Sequence, residues 1–206
     1  MRLPINLSEK TIMKKTSFRI IAISLTLMIT ASLSQANQAT HGTPTLAELR
    51  NATYTGIEDG PVSLSNGAWQ GKPYVEDGAS RPRAGLVDNV YYTGDLDGDG
   101  TQEAVVIIWQ SGGGTGENTY VMVMSGQNGG VKNIGAALIG DRVKLRSGKI
   151  ADGNITLEVL QAGENDAMCC PTQLATRTWS MQGNQLVEGE QEVTGKLSLT
   201  VPEDTE

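Results

Sequence analysis

The residues best placed to do chemistry stand between Gly94 and Trp109, GDLDGDGTQEAVVIIW, where four acidic residues and three glycines run straight into an apolar stretch. Asp95, Asp97 and Asp99 occupy alternate positions and Glu103 follows four residues after the last of them. A hard cation such as Ca²⁺ takes six to eight oxygen ligands at about 2.3–2.6 Å, and alternate carboxylates on a tight turn can converge on one point. Glycine lets such a turn curl without a Cβ clash. The competing account is an acidic hairpin turn with no ion. That account leaves three carboxylates crowded together, repelling by ~1 kcal/mol per pair at about 4 Å even in bulk water. Mn²⁺ accepts similar oxygen ligands, so calcium is the expectation for the metal and not the only chemistry compatible with the donors.

Gly100 falls at the sixth position from Asp95 and Thr101 at the seventh, where an EF-hand loop makes its sharp turn and offers a backbone carbonyl. Position twelve is Val106 instead of the bidentate Glu, and the chain continues into an apolar strand, so this is not an EF-hand. The segment resembles the D-x-D-x-D-G-x-x-[DE] loops of the FG-GAP (integrin α-subunit propeller) and dockerin-like calcium-binding families over about nine residues. The resemblance implies a local metal loop, not a propeller, with Asp95, Asp97, Asp99, the Thr101 carbonyl and Glu103 as ligands.

A second local signature is GENDAMCCPT, Gly163 to Thr172. Cys169 and Cys170 are the only cysteines, and adjacent cysteines cannot staple distant parts of the chain. Three roles remain open: a structural pair, as buried thiols or as a vicinal disulfide shaping the loop; a soft-metal or redox-sensing pair; or an intermolecular bridge. The sensing role requires both cysteines to be exposed. The D-x-x-C-C-P-[ST] segment, together with the Asp-rich strand entry, resembles small exported bacterial proteins and lipoproteins, including the LppP/LprE-like group. That resemblance implies no activity.

Other candidates are weaker. His41 is the only histidine, which leaves a His-dependent triad or a His-based zinc site without material. Glu158, Glu164 and Asp166 could serve acid–base chemistry, but nothing in their spacing selects them. Ser111 to Glu117, SGGGTGE, lacks the Gly-Lys-[Ser/Thr] ending of a phosphate loop and reads as a connection between buried strands. Arg177 shares strand parity with Ala175 and Trp179. On a core face its guanidinium needs a carboxylate, or the Trp179 ring to stack on.

The elements that must position these residues begin after an expected secretory signal over residues 1–36. Lys10, Lys14, Lys15 and Arg19 precede an apolar run from Ile20 to Leu33, and Ser34-Gln35-Ala36 has the small residues of a cleavage site. The run is shorter than the ~20 residues of a membrane-spanning helix. No Cys stands at the cleavage point to carry a lipid. The mature chain is expected from Asn37, periplasmic or secreted, with a formal charge of −11. Such a surface repels nucleic-acid phosphates, so the partners to expect are a protein, a glycan or a small ligand.

Residues 37–43 read as a flexible N-terminus, 44–190 as one β-rich domain and 191–206 as a frayed acidic tail. Thr45 and Glu48 have capping-box spacing ahead of a short helix over Leu46 to Ala52. Asn66-Gly67 predicts a type I′ hairpin turn between Val62 and Trp69. Strands are expected over Leu86–Thr93, Ala104–Trp109, Thr119–Met124, Val131–Ile139, Val143–Leu145, Ile155–Val159, Leu174–Met181 and Leu186–Val187. Ala104–Trp109 and Thr119–Met124 are continuously apolar, which predicts cover on both faces. The fold expected is mainly β: one antiparallel sandwich or curved sheet of eight to ten strands with one short N-terminal helix. The function expected is a non-enzymatic, calcium-stabilised binding or structural module of the bacterial envelope. Its rival is a carboxylate-dependent hydrolase acting on an extracellular or envelope polymer.

Overall fold

The structure, a computed structural model, describes residues 42–127, 129–167 and 169–197. The expected signal, the Asn37 start, His41 and the chain after Leu197 lie outside the described residues. The protein is mainly β. A one-turn helix α1 (Leu46–Leu49) is followed by β1 (Thr53–Tyr54), β2 (Val62–Ser63), β3 (Ala68–Gln70), β4 (Arg83–Leu86), β5 (Tyr92–Gly94) and β6 (Glu103–Ser111). Then come β7 (Asn118–Gln127), β8 (Gly130–Asp141), β9 (Lys144–Ala151), β10 (Asn154–Gln161), β11 (Gln173–Gln182), β12 (Gln185–Glu188) and β13 (Glu192–Lys196). Every pairing is antiparallel, as short connections demand.

Three sheets form. β1 pairs with β2; a six-stranded sheet runs β3-β4-β6-β7-β8, with β5 also on β6; a five-stranded sheet runs β12-β11-β10-β9, with β13 also on β11. Side chains alternate across the two central strands of the larger sheet. Val106 and Ile108 of β6 and Tyr120, Met122 and Met124 of β7 face Leu49, Tyr54, Val62 and Leu64. Val105, Ile107, Val121 and Val123 face Ile155, Leu157, Val159, Ala175 and Trp179 of the second sheet. β6 and β7 are therefore covered on both sides, and this is why their sequences are apolar without alternation.

Several elements differ from the sequence expectation. The capping box forms, with the Thr45 N–H donating to Glu48 Oε2 at 2.8 Å and the Glu48 N–H to Thr45 Oγ1 at 3.3 Å, but the helix ends at Leu49. It stops because the Arg50 carbonyl takes the Gly67 N–H and the Ala52 carbonyl takes the Leu64 N–H. Asn66 and Gly67 both have positive φ, 55° and 87°, as a type I′ turn requires. The arms of that turn separate at once, β2 joining β1 and β3 joining β4, with a single Ser65–Ala68 bridge between them.

Leu86–Thr93 is two strands rather than one. Leu86 opposes Ile108 and Tyr92 opposes Val105, so six steps of this chain match three of β6, and the surplus loops out at Asn89 (φ 61°). The segment expected to fray from residue 191 contributes β13, with Ala175 opposite Val193. Val193 is 56% exposed, so ladder hydrogen bonds and not burial hold this strand, and it carries no hydrophobic pattern to read. Among the described residues the strands number thirteen, the extra ones being two- to five-residue pieces.

Candidate metal centre

The acidic loop is a closed excursion from the sheet. Gly94 of β5 and Glu103 of β6 are directly paired, so the residues between them must turn back within a fixed opening. Leu96 fixes the loop from inside: it is 4% exposed and packs in the core between the two large sheets. Gly98 and Gly100 have φ of 80° and 85°, a region in which a Cβ is unfavourable. The carboxylates organise the turn through the backbone. Asp95 Oδ1 accepts the Gly98 N–H at 2.7 Å and Asp95 Oδ2 the Gly100 N–H at 3.1 Å. Asp97 Oδ1 accepts from the Asp99 N–H at 3.2 Å, and Asp99 Oδ1 from the N–H and hydroxyl of Thr101 at 2.7 and 2.6 Å.

Asp95, Asp97 and Asp99 are exposed, and one oxygen from each lies within 4.8 Å of the others. Two oxygens bound to the same Ca²⁺ can be at most about 5 Å apart, so these three fit one coordination sphere. The donor set is all hard oxygen, which suits Ca²⁺ or Mn²⁺ and not a soft metal.

Glu103 lies outside that set. It is wholly buried beneath the loop, its Oε2 accepting the Leu96 N–H at 2.9 Å and its Oε1 lying 3.5 Å from the Thr101 hydroxyl. Burial pushes its carboxyl above the usual range, and the Asp97 and Asp99 carboxylates push the same way. Thr101 thus links the exposed ring of carboxylates to the buried one.

Asp97 and Asp99 also form one edge of an open groove of about 650 Å³. Its other walls are the Lys132–Ala136 part of β8 and the β11–β12 hairpin from Gly183 to Val187. Gly135 in the β8 wall sits close to Met181 and Leu186, and a Cβ there would stand 3.0 Å from the Met181 sulfur.

The remaining candidates are placed elsewhere. Cys169 and Cys170 are exposed and bridged to each other as a vicinal disulfide. Asp166, which spacing alone did not distinguish, closes the loop that carries them. It accepts from the Gly163 N–H at 2.8 Å, the Thr172 N–H at 2.6 Å and the Thr172 hydroxyl at 2.7 Å. These donors, led by the Gly163 N–H, hold its carboxyl well below the usual range, and Lys196 adds to the effect. Glu158 is exposed and accepts from Ser147 Oγ at 2.7 Å, and Glu164 is exposed on the loop surface. Arg177 finds both of its anticipated partners. Its guanidinium makes a two-pronged pair with Glu188, at 2.6 and 2.8 Å, and lies 5.3 Å from the centre of the Trp179 ring. The Ser111–Glu117 loop joins β6 to β7 and is tied down by Tyr74 and Ser80, whose hydroxyls donate to the Gly112 and Gly113 carbonyls.

Sequence reasoning passed over Leu96, whose apolar side chain amid four acids was the available sign of an anchor. The Asp166–Thr172 clamp, spanning the cysteine pair, gave no such sign. Comparison of the chain with family models, with curated proteins and with solved structures finds no match.

Proposed function

We propose that this chain is an exported β module stabilised by one calcium ion, serving as a non-enzymatic binding or structural protein of the bacterial envelope. The observation that carries the metal is the convergence of Asp95, Asp97 and Asp99 oxygens within 4.8 Å on a loop closed at both ends by the β5–β6 pair. The Thr101 carbonyl is a further ligand that the FG-GAP and dockerin-like resemblance implies; Glu103, which that resemblance also implies, is buried beneath the loop and holds the Leu96 N–H instead. An ion there would neutralise the exposed carboxylates and ease the burial of a charged Glu103 beside them. Export rests on the basic, apolar and small-residue sequence of the first 36 residues. The groove that Asp97 and Asp99 border is where a protein, glycan or small ligand would meet the ion-bearing loop.

A hydrolase would need two facing carboxyls able to touch a polymer. The carboxyl with the raised pKa, Glu103, is wholly buried and holds the Leu96 N–H, which favours a structural role for it. The test is a thermal melt of the purified protein in millimolar Ca²⁺ and in excess chelator, with Asp97→Ala alongside. Calcium is expected to raise the melting temperature of the native protein and not of the variant. The gain should grow with the logarithm of free metal, about 2.7 kcal/mol at 100 times the dissociation constant. Identical melts in calcium and chelator would sink the proposal.

A further inference from the structure

The cysteine pair has surroundings that a merely structural bridge would not need. Both cysteines are exposed, and Cys170 lines a surface cavity of about 540 Å³ together with Asp166, Thr172, Lys196 and Leu197. That cavity leaves room for an approaching group beside Cys170. Lys196 supplies a positive charge at its wall, held near Asp166 at 3.6 Å. Paired with that carboxylate, the ammonium offsets its repulsion of an incoming thiolate at the cavity wall.

The pair is also wired to the edge of the second sheet. The Ala167 carbonyl accepts the Cys170 N–H at 2.9 Å, and the Thr172 carbonyl, two residues on, accepts the Leu197 N–H at 2.8 Å. The segment Asp166–Thr172 is closed twice, by the Asp166–Thr172 hydrogen bonds and by the Cys169–Cys170 ring. Bridging neighbouring residues removes the rotational freedom of their shared peptide, so opening the ring loosens the segment that anchors the end of β13.

We propose that Cys169–Cys170 is a thiol–disulfide exchange site whose redox state sets how firmly β13 is held on β11, and that its co-substrate is a dithiol. One thiolate of the dithiol attacks Cys170 Sγ from the cavity, forming a mixed disulfide and releasing the Cys169 thiolate, which takes up a proton. The second thiolate of the reductant then attacks its own bridged sulfur, closing the reductant's disulfide and releasing Cys170 as a thiol. Two electrons and two protons pass from dithiol to protein, and the reverse reaction restores the ring.

The experiment holds the full chain, folded, in dithiothreitol buffers of graded ratio to oxidised dithiothreitol. Thiols are trapped by alkylation and counted by mass, and amide hydrogen exchange is followed at Leu197 and Thr172 with Val121 as the core reference. Both thiols are expected to appear together and reversibly in one two-electron transition, with the Leu197 amide exchanging roughly tenfold faster in the reduced protein and Val121 unchanged. The Cys169→Ser variant should show the faster Leu197 exchange with no reductant present. A pair that alkylates only after denaturation would overturn the exchange site. A pair that reduces while Leu197 exchange stays the same would overturn the coupling, and the native protein alone decides both points.

Discussion

Asp95, Asp97 and Asp99 each spend part of their acceptor capacity on loop amides, so the turn is organised by the same carboxylates that gather toward a cation. Asp166 is a contrasting carboxylate, consumed by amide and hydroxyl donors around the cysteine loop. Its pKa is depressed in the folded protein, so its stabilising contribution is present above the unfolded Asp value, about 3.9, and disappears as pH falls below it toward the folded value. Chemical denaturation between pH 6 and about pH 2.5 should therefore show stability lost on acidification, and Asp166→Asn should flatten that slope while lowering the plateau. Arg177 makes a different prediction. Removing its partner by Glu188→Ala leaves a largely buried guanidinium short of its acceptors and should cost about 1–3 kcal/mol in urea unfolding, whereas Glu158→Ala, at an exposed site, should cost little. The three aspartates were legible in the sequence because their spacing is itself the signal. Asp166 was not, because its donors are backbone amides that only the folded loop brings to it.

At the scale of elements, local chemistry and global placement separate. Asn66-Gly67 specifies its own turn, and both residues adopt the left-handed backbone the dipeptide implies. Nothing local says that the two arms go to different sheets, since that is decided by Leu64 packing into the core beside Leu49 and by β3 pairing with β4. Gly67→Ala should therefore cost about 1 kcal/mol or more, measured by the denaturation midpoint, because its φ of 87° disfavours any Cβ. Gly94 answers to packing instead. A Cβ there would stand 2.5 Å from Ile150 Cγ2, on the contact between β5 and β9. Gly94→Ala must push the sheets apart at the mouth of the acidic loop, at about 1–3 kcal/mol, and should weaken any metal affinity along with stability. The Leu86–Thr93 run illustrates the same limit, since its composition says strand throughout while the register against β6 forces a loop at Asn89.

At the scale of the whole molecule, the continuous apolar sequences of β6 and β7 already required a layer on each side, and the structure supplies one from α1, β1 and β2 and another from the five-stranded sheet. The mainly antiparallel β class was thus readable from strand spacing and apolar runs. The partition into three sheets was not, because it depends on which short, half-exposed pieces pair across the sequence. The chain's formal charge of −7 favours cations and opposes anionic partners. Among the described residues the gathered carboxylates are those of the β5–β6 loop, so the account stands or falls on that loop. The most direct measurement is calorimetric titration of Ca²⁺ into the chelator-treated protein, with Asp97→Ala and Asp99→Ala as controls. The account predicts one ion per chain for the native protein and binding weakened by an order of magnitude or more, roughly 1.4 kcal/mol, in each variant. Absence of saturable binding, or equal binding by all three proteins, would contradict it.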